Sequence, residues 1–245
     1  MDEYTERTYR NRMWGKGLVS FPVCVKETDL WISVDEAGCT RSLPEVALEL
    51  VHRSRSDLER YIDRDPTFLH ALQPLPVLPH APRIIRMMAS AAARAGVGPM
   101  AAVAGAIAEL VGRGLLRTVR EVIVENGGDI FLKTIHLRRV GIFAGRSPLS
   151  DRVGLLIRPD GRCCSICTSS GTVGPSLSFG RADAAVVVSR YAALADAAAT
   201  ALGNLVKDES CFTPALQFAC GIRGVLGAAV ILGDKLGAMG AIELV

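Results

Sequence analysis

From Val119 onward the apolar residues of this chain stop recurring every three or four positions and begin to alternate. The alternating segments are EVIVENGG (121–128), DIFLKT (129–134), RRVGIFAG (138–145), RVGLLIRP (152–159), RCCSICTSSG (162–171) and ADAAVVVS (182–189). Glycine, Pro-Asp-Gly and Ser-Pro turns separate them, which is the pattern of a β-meander. Helical patterns lie on both sides of this block. The resulting order of strands, helices, strands, helices, strands favours an α+β fold with largely antiparallel sheet over alternating βαβ units.

The segments before the meander fill in that order. Residues 4–13, 17–26 and LWISV (30–34) alternate and read as antiparallel strands, with turns at Gly15 and Gly17 and at Glu27-Thr28-Asp29. Arg7, Arg10 and Arg12 read as edge-strand charges that oppose aggregation. Ser42-Leu43-Pro44-Glu45 is a capping-box sequence opening an amphipathic helix. A short helix from Asp65-Pro66 leads to the proline-rich connector QPLPVLPHAP (73–82). A helix over Arg83–Ala95 is expected to stop at Gly96, and another to start with Pro99 in its first turn. Ala101, Gly105, Ala108 and Gly112 share one face of that second helix, a surface suited to close helix packing. After the meander, SRYAALADAAATALGNLV (189–206) and CFTPALQFACGI (211–222) read as helices, and the chain closes as a hairpin around Gly233-Asp234. The expected organisation is one domain over 1–245, in which residues 1–80 pack onto 81–245.

Composition excludes several function classes. Only 5% of the residues are aromatic, so alanine, valine and leucine must fill the core. A net charge of +3, with acidic and basic residues interspersed, argues for no nucleic acid and no membrane as partner. The N-terminus is polar and mixed in charge, and the apolar stretches are interrupted by Glu109, Asp196 or Asp234-Lys235, so a cytoplasmic protein is expected. Seven cysteines, an odd number at low density, read as reduced thiols. Cys164 and Cys167 form a C-x-x-C on a strand, where they point to opposite faces, which is poor geometry for a metal.

Three stretches could carry chemistry. Asp196, Thr200 and Asn204 recur every four residues on the alanine-rich helix and form one polar stripe. A carboxylate and a hydroxyl on one face suit a hard cation such as Mg2+, or a phosphate reached through it. Asn126-Gly127-Gly128-Asp129 is a hairpin-turn sequence whose glycines would let a ligand touch the backbone. Thr168-Ser169-Ser170-Gly171, continuing through Thr172 to Ser176, offers hydroxyls and amides of the kind that cradle phosphates. No Walker, dinucleotide or G-x-S-x-G motif accompanies them.

In the order NGGD (126–129), TSSG (168–171), LADAAATAL (194–202), the chain resembles the ApbE superfamily of flavin transferases over residues 98–206. The remainder, with GPMAAVAGAIAE (98–109), is similar to an uncharacterised ApbE-like family. The resemblance implies an ApbE-like (T-fold-like) α+β architecture. It also implies that Asp196 and Thr200 hold Mg2+ with a backbone carbonyl, for which Ala108 in AGAIAE is the match, and that Thr168, Ser170 and Gly171 lie near the phosphates; Asn126, Gly127, Gly128, Asp129 and Ser169 complete the expected ligand-binding set. FAD and Mg2+ are the cofactors it suggests. At position 109 the flavin transferases carry Lys where this chain has Glu109. They also carry a histidine between the TSG loop and the ADALATA helix, whereas TVGPSLSFGRAD (172–183) has none. The resemblance therefore points to a protein that binds a small phosphorylated or nucleotide-type ligand through Mg2+ without transferring flavin covalently, with its catalytic residues unassigned. Two other readings stay open at this point. One is a non-flavin role in sulfur assimilation, with which the ApbE-like family is associated and in which Cys163, Cys164 and Cys167 would take part. The other is a ligand-free structural or interaction protein, and a homodimer stays open as the assembly.

Overall fold

The computed structural model describes residues 17–172 and 178–245. The expected strand 4–13 with its arginines lies outside the described residues, as do Val173–Ser176 of the hydroxyl-rich loop. The elements in chain order are β1 (Leu18–Val25), β2 (Thr28–Asp35), α1 (Leu43–Arg64), α2 (Thr67–His70), α3 (Arg83–Ala95), α4 (Val103–Leu115), β3 (Val122–Asn126), β4 (Asp129–Lys133), β5 (Arg138–Gly141), β6 (Gly154–Ile157), β7 (Cys164–Ser169), β8 (Ala184–Ser189), α5 (Ala192–Leu205), α6 (Phe212–Gly221), β9 (Val225–Leu232) and β10 (Lys235–Gly240). This is the expected α+β fold.

Eight strands form one sheet in the order β1-β2-β3-β4-β7-β8-β9-β10, and every neighbouring pair is antiparallel. Each half of the sheet repeats one pattern, two strands, then helices, then two strands, and β4 and β7 join the halves. The alternation of side chains sorts the strand residues to two faces. Val122, Val124, Phe131, Cys167, Ala185 and Val187 join the core under the helices. Ile130, Leu132, Cys164, Ile166, Val186 and Val188 face the other way. The opposite faces expected of Cys164 and Cys167 are thus observed.

The meander is not continuous. β5 and β6 form a separate two-stranded sheet, with β6 also bridged antiparallel to the C-terminal residues 243–245 (Gly154 N–H to the Val245 carbonyl at 2.7 Å, Leu156 N–H to the Glu243 carbonyl at 2.9 Å), and β4 passes directly to β7. The segment around β5–β6 folds across the sheet face that the helices leave bare, burying Ile142, Ala144 and Leu155 on it. Without that cover the second face of β4, β7, β8 and β9 would expose a continuous apolar surface.

The glycine face of α4 serves close packing, as expected. A Cβ on Gly105 would stand 2.4 Å from the Ala192 carbonyl oxygen, and one on Gly112 would stand 2.2 Å from the Phe131 ring. The backbone of α4 therefore rests directly on α5 and on β4. Helix α3 spans the expected residues and ends at Gly96, whose φ of 73° is the left-handed cap that glycine adopts without cost. Two local expectations need correction. The start at Pro99 is a short 3-10 helix over Pro99–Ala102, and the α-helix proper begins at Val103. Ser42 has a helical backbone (φ −86°, ψ −7°) and makes no side-chain cap bond, so the capping box does not form. Its hydroxyl turns to Thr40 instead, at 3.3 Å.

Candidate functional site

The strand registers bring the three motif stretches to one end of the sheet. Gly127 (φ 66°) and Gly128 (φ 101°) form a two-residue hairpin turn with both φ values positive, which pairs Asn126 with Asp129 side by side. On β4, Asp129 shares the helix-covered face with Phe131, because they are two residues apart. Ile130 pairs with Ile166, so Asp129 stands beside Cys167 and the turn lies next to Thr168. The carbonyl of Thr168 is 3.9 Å from where a Gly128 Cβ would sit. NGGD is an ordinary hairpin turn, and the same turn aims Asn126 and Asp129 at α4 and α5.

The helices close the site from above. Asn126 donates from Nδ2 to the carbonyl of Ala104 at 3.1 Å, fixing the start of α4. The first amides of α4 then point outward with no intrahelical acceptor. Asp196 of α5 takes them: its Oδ2 accepts from the N–H of Gly105 at 2.8 Å, and the Ala104 amide also donates to this carboxylate. The Cys167 thiol is hydrogen-bonded to Asp129, lies within reach of the charge of Asp196, and has Sγ 3.5 Å from the carbonyl of Ala192.

Electrostatically this is a strained pair. Burial, and then the charge of Asp196, push the Asp129 carboxyl well above the usual carboxylate range. Burial raises Asp196 to about 7, against the pull of the Gly105 and Ala104 amides. Burial also pushes the Cys167 thiol well up, with the charges of Asp129 and Asp196 adding to it. Asp129 is 7% exposed, and its Oδ1 is buried without a hydrogen-bond partner. Among the described residues, neither carboxylate has a Lys or Arg within ion-pair distance, and no three His, Cys, Asp or Glu side chains converge as a metal-ligand set.

The other expected site residues fall around this pair. Thr200 is one turn beyond Asp196 on α5, partly exposed. Ser169 faces α5, with Oγ 3.4 Å from where a Gly203 Cβ would sit and no hydrogen-bond partner. Thr168 pairs with Val186 and points to the opposite face. Ser170 orients Thr172 by accepting its N–H at 3.1 Å. Gly171 lets two backbone segments meet, since a Cβ there would be 2.5 Å from the Gly180 carbonyl oxygen. Asn204 binds the amide of Phe179 at 2.8 Å, so the third member of the stripe holds a loop. Ala108 lies in the middle of α4, where a helical carbonyl is taken by the amide four residues on. The part of α4 that meets Asp196 is its amide end.

Sequence reasoning did not assign Cys167 or the α4 amides to this site. The signal for Cys167 was its two-residue offset from Ser169 on an alternating strand. Glu109, the departure from the transferase motif, has a structural role: Oε2 accepts from the Ala192 amide at 2.7 Å and Oε1 pairs with Arg113 at 2.8 Å. It caps the start of α5. In the interval 172–183, Asp183 accepts from Thr172 at 3.0 Å and from the Gly233 amide at 2.7 Å, which ties down both its oxygens. His52, His70, His80 and His136 are all exposed and none belongs to the site.

A family model described as AbpE bacteria matches residues 10–219. The chain belongs to the AbpE bacteria family. Among relatives of this AbpE bacteria member, a UPF0280 protein of Methanocella arvoryzae is 43% identical over 217 residues, covering 88% of this chain and 86% of the relative. One of Methanosphaerula palustris is 46% identical over 200 residues, covering 81% and 82%. Its fold is that of the solved flavin transferases. The apo flavinyl transferase ApbE of Pseudomonas stutzeri superposes with a TM-score of 0.53 at 14% identity, covering 93% of this chain and 95% of that one. A variant of the Vibrio cholerae flavin transferase ApbE gives 0.57 at 15% identity, with coverage of 91% and 97%. The AbpE bacteria chain thus shares its architecture with flavin transferases, while its sequence identity lies with the UPF0280 proteins. No single helix among its described residues is long and apolar enough to cross a membrane.

Proposed function

We propose that this protein binds a phosphorylated, nucleotide-type ligand of the FAD class, together with Mg2+, at the sheet end where Asp129, Asp196 and the Thr168–Gly171 segment meet, and that it does not transfer flavin covalently. The observation that carries the reading is the convergence of three motif stretches, distant in sequence, on one pair of acids that no Lys or Arg among the described residues neutralises. The donor chemistry fits the ion: the Asp196 carboxylate and Thr200 hydroxyl are hard oxygen donors, one turn apart on α5. Mg2+ held there would offset the carboxylate charge and present a Lewis-acidic face to phosphate oxygens.

The chain's own residues supply the rest. The α4 amides orient Asp196 by accepting part of its charge into the positive end of a helix. The Gly127-Gly128 turn leaves a backbone edge free of side chains beside the acids. Covalent transfer needs a base within hydrogen-bond reach of the acceptor hydroxyl. The interval 172–183 contains no histidine, and Asp183, its one carboxylate, is committed to Thr172 and Gly233. Two of the three cysteines of the sulfur reading are poorly placed for a relay: Cys164 and Cys167 sit on opposite sheet faces, and burial raises both thiols, Cys164 to about 11.

Thermal denaturation with FAD or ADP, with and without Mg2+, tests the reading. A rise in melting temperature that needs both components and disappears in Asp196→Asn is expected. No stabilisation by any flavin or nucleotide overturns it.

A further inference from the structure

The ligand reading above gives the Asp129 Oδ1 atom no specific partner. A buried carboxylate oxygen with no donor is among the costlier features a fold can retain. Protein groups could have relieved it, and among the described residues none does: Asn126 spends its amide on Ala104, and the Gly128 amide goes to Glu125 at 2.8 Å. No hydrogen bond from Asp196 reaches it either; the Asp196 Oδ2 accepts from the Gly105 amide. The Thr168 amide and the Cys167 thiol reach the Asp129 carboxyl, yet Oδ1 is left over, and a bound cation would satisfy it.

We infer that Asp129 is a direct ligand of the divalent cation, taking the place that the family resemblance gave to a backbone carbonyl at Ala108, so that the ion sits between two carboxylates. This rests on the proposed binding of a Mg2+-dependent ligand. Three placements support it. Asp129 on the sheet and Asp196 on α5 lie close enough for the charge of one to act on the other, and both act on the Cys167 thiol. Ala108 is inside α4, and the turn of that helix meeting the site offers N–H groups, which repel a cation but orient a carboxylate. Among the described residues no group of three His, Cys, Asp or Glu side chains is arranged to hold a metal, and the Cys167 thiol beside Asp129 is a soft donor that Mg2+ does not favour. Two carboxylates with the remaining positions filled by water and substrate phosphate is the arrangement Mg2+ favours. The cation and the phosphorylated ligand should accordingly bind with mutual reinforcement.

Mn2+, a paramagnetic hard cation, serves as the probe. Its binding to the purified chain is titrated by electron paramagnetic resonance in the presence and absence of FAD. The expected result is that FAD tightens Mn2+ binding in the wild type, and that Asp129→Asn and Asp196→Asn each weaken it at least about tenfold. Asp129→Glu, which keeps a carboxylate, should recover part of the affinity. Melting in the absence of metal shows that each variant folds; Asp129→Ser replaces an Asp129→Asn that does not, and Asp196→Ser an Asp196→Asn that does not. Mn2+ binding unchanged in Asp129→Asn while Asp196→Asn loses it overturns the inference and leaves the ligand reading standing. Stabilisation of the wild type by FAD with no Mn2+ bound overturns the inference and the metal part of the ligand reading, leaving a metal-independent FAD site. Absence of both FAD and Mn2+ binding in the wild type removes both.

Discussion

Replacing Glu109 with lysine, the residue that the transferase motif carries at this point, should destabilise this chain strongly. Glu109 is 3% exposed and does two things: it accepts the Ala192 amide at 2.7 Å, at the first residue of α5, and pairs with Arg113 at 2.8 Å one turn along α4. Arg113 is itself held over the Phe131 ring, 5.4 Å from its centre, so it cannot swing freely to water. Removing one partner of a buried ion pair costs about 3–5 kcal/mol. The lower figure applies here, because the Arg113 side chain is 33% exposed. A positive charge at the positive end of α5 adds up to about 1 kcal/mol, and the like-charged pair with Arg113 adds a few tenths. A total of about 4 kcal/mol follows. At roughly 2–4 °C per kcal/mol for a chain of this size, the melting temperature should fall by about 8–16 °C. Urea denaturation checks it as a lower midpoint at an unchanged slope. The charge-swapped chain Glu109→Lys with Arg113→Glu restores the pair but gives Ala192 no acceptor from position 109, so it should recover only part of the loss. A single variant within about 1 kcal/mol of the wild type, or a swap that restores stability fully, would refute the capping role.

Two further outcomes follow from the same contacts. Gly105→Ala should cost about 1–3 kcal/mol despite alanine's better helix propensity, because the new Cβ meets the Ala192 carbonyl oxygen at 2.4 Å and the Asp196 Cβ at 2.9 Å. It should also abolish ligand-dependent stabilisation, whereas Gly221→Ala, with open space around it, changes stability little; equal effects in the two variants would discount the close approach of α4 and α5. The second outcome concerns pH. Asp196 is raised to about 7 from an ordinary 3.8, so its protonated form is the one the metal-free fold prefers. Its contribution is complete below about pH 4 and is lost as pH rises through about 7, so the metal-free melting temperature should fall between pH 5 and 8. Asp196→Asn should flatten that slope and Mg2+ should oppose it; an undiminished slope in the variant counts against the buried acid.

How far the site could be read from sequence differs from residue to residue. The i,i+4 spacing of Asp196 and Thr200 follows from helix geometry and is visible in any alanine-rich stretch of this composition. The turn at Gly127-Gly128 is equally local, since two positive φ values demand glycine. Neither signal says what lies opposite. That Asp129 meets Asp196 depends on β4 pairing with β7 rather than β5, and the alternating patterns of β5, β6 and β7 do not distinguish those partners. The pairing is settled by which face of the sheet needs cover. The same is true of Glu109. Its place in AGAIAE reads as a departure from a motif, and only the packing of α4 onto α5 shows that it accepts a helix's first amide.

Local chemistry thus determined the elements and many of their ends: α3 stops at Gly96 because a left-handed residue is needed there, and the alanines of α5 allow close approach to the sheet. It also determined the fold class, because short strands joined by turns pair antiparallel. Tertiary structure alone decided which acids come near one another, that the glycine face of α4 seats α5 and Phe131, and that the α4 amides orient Asp196. The physical reason is one of range. Turn, cap and periodicity signals act within a few residues, whereas the energy of an acid in a low-dielectric site depends on charges and donors brought from distant parts of the chain.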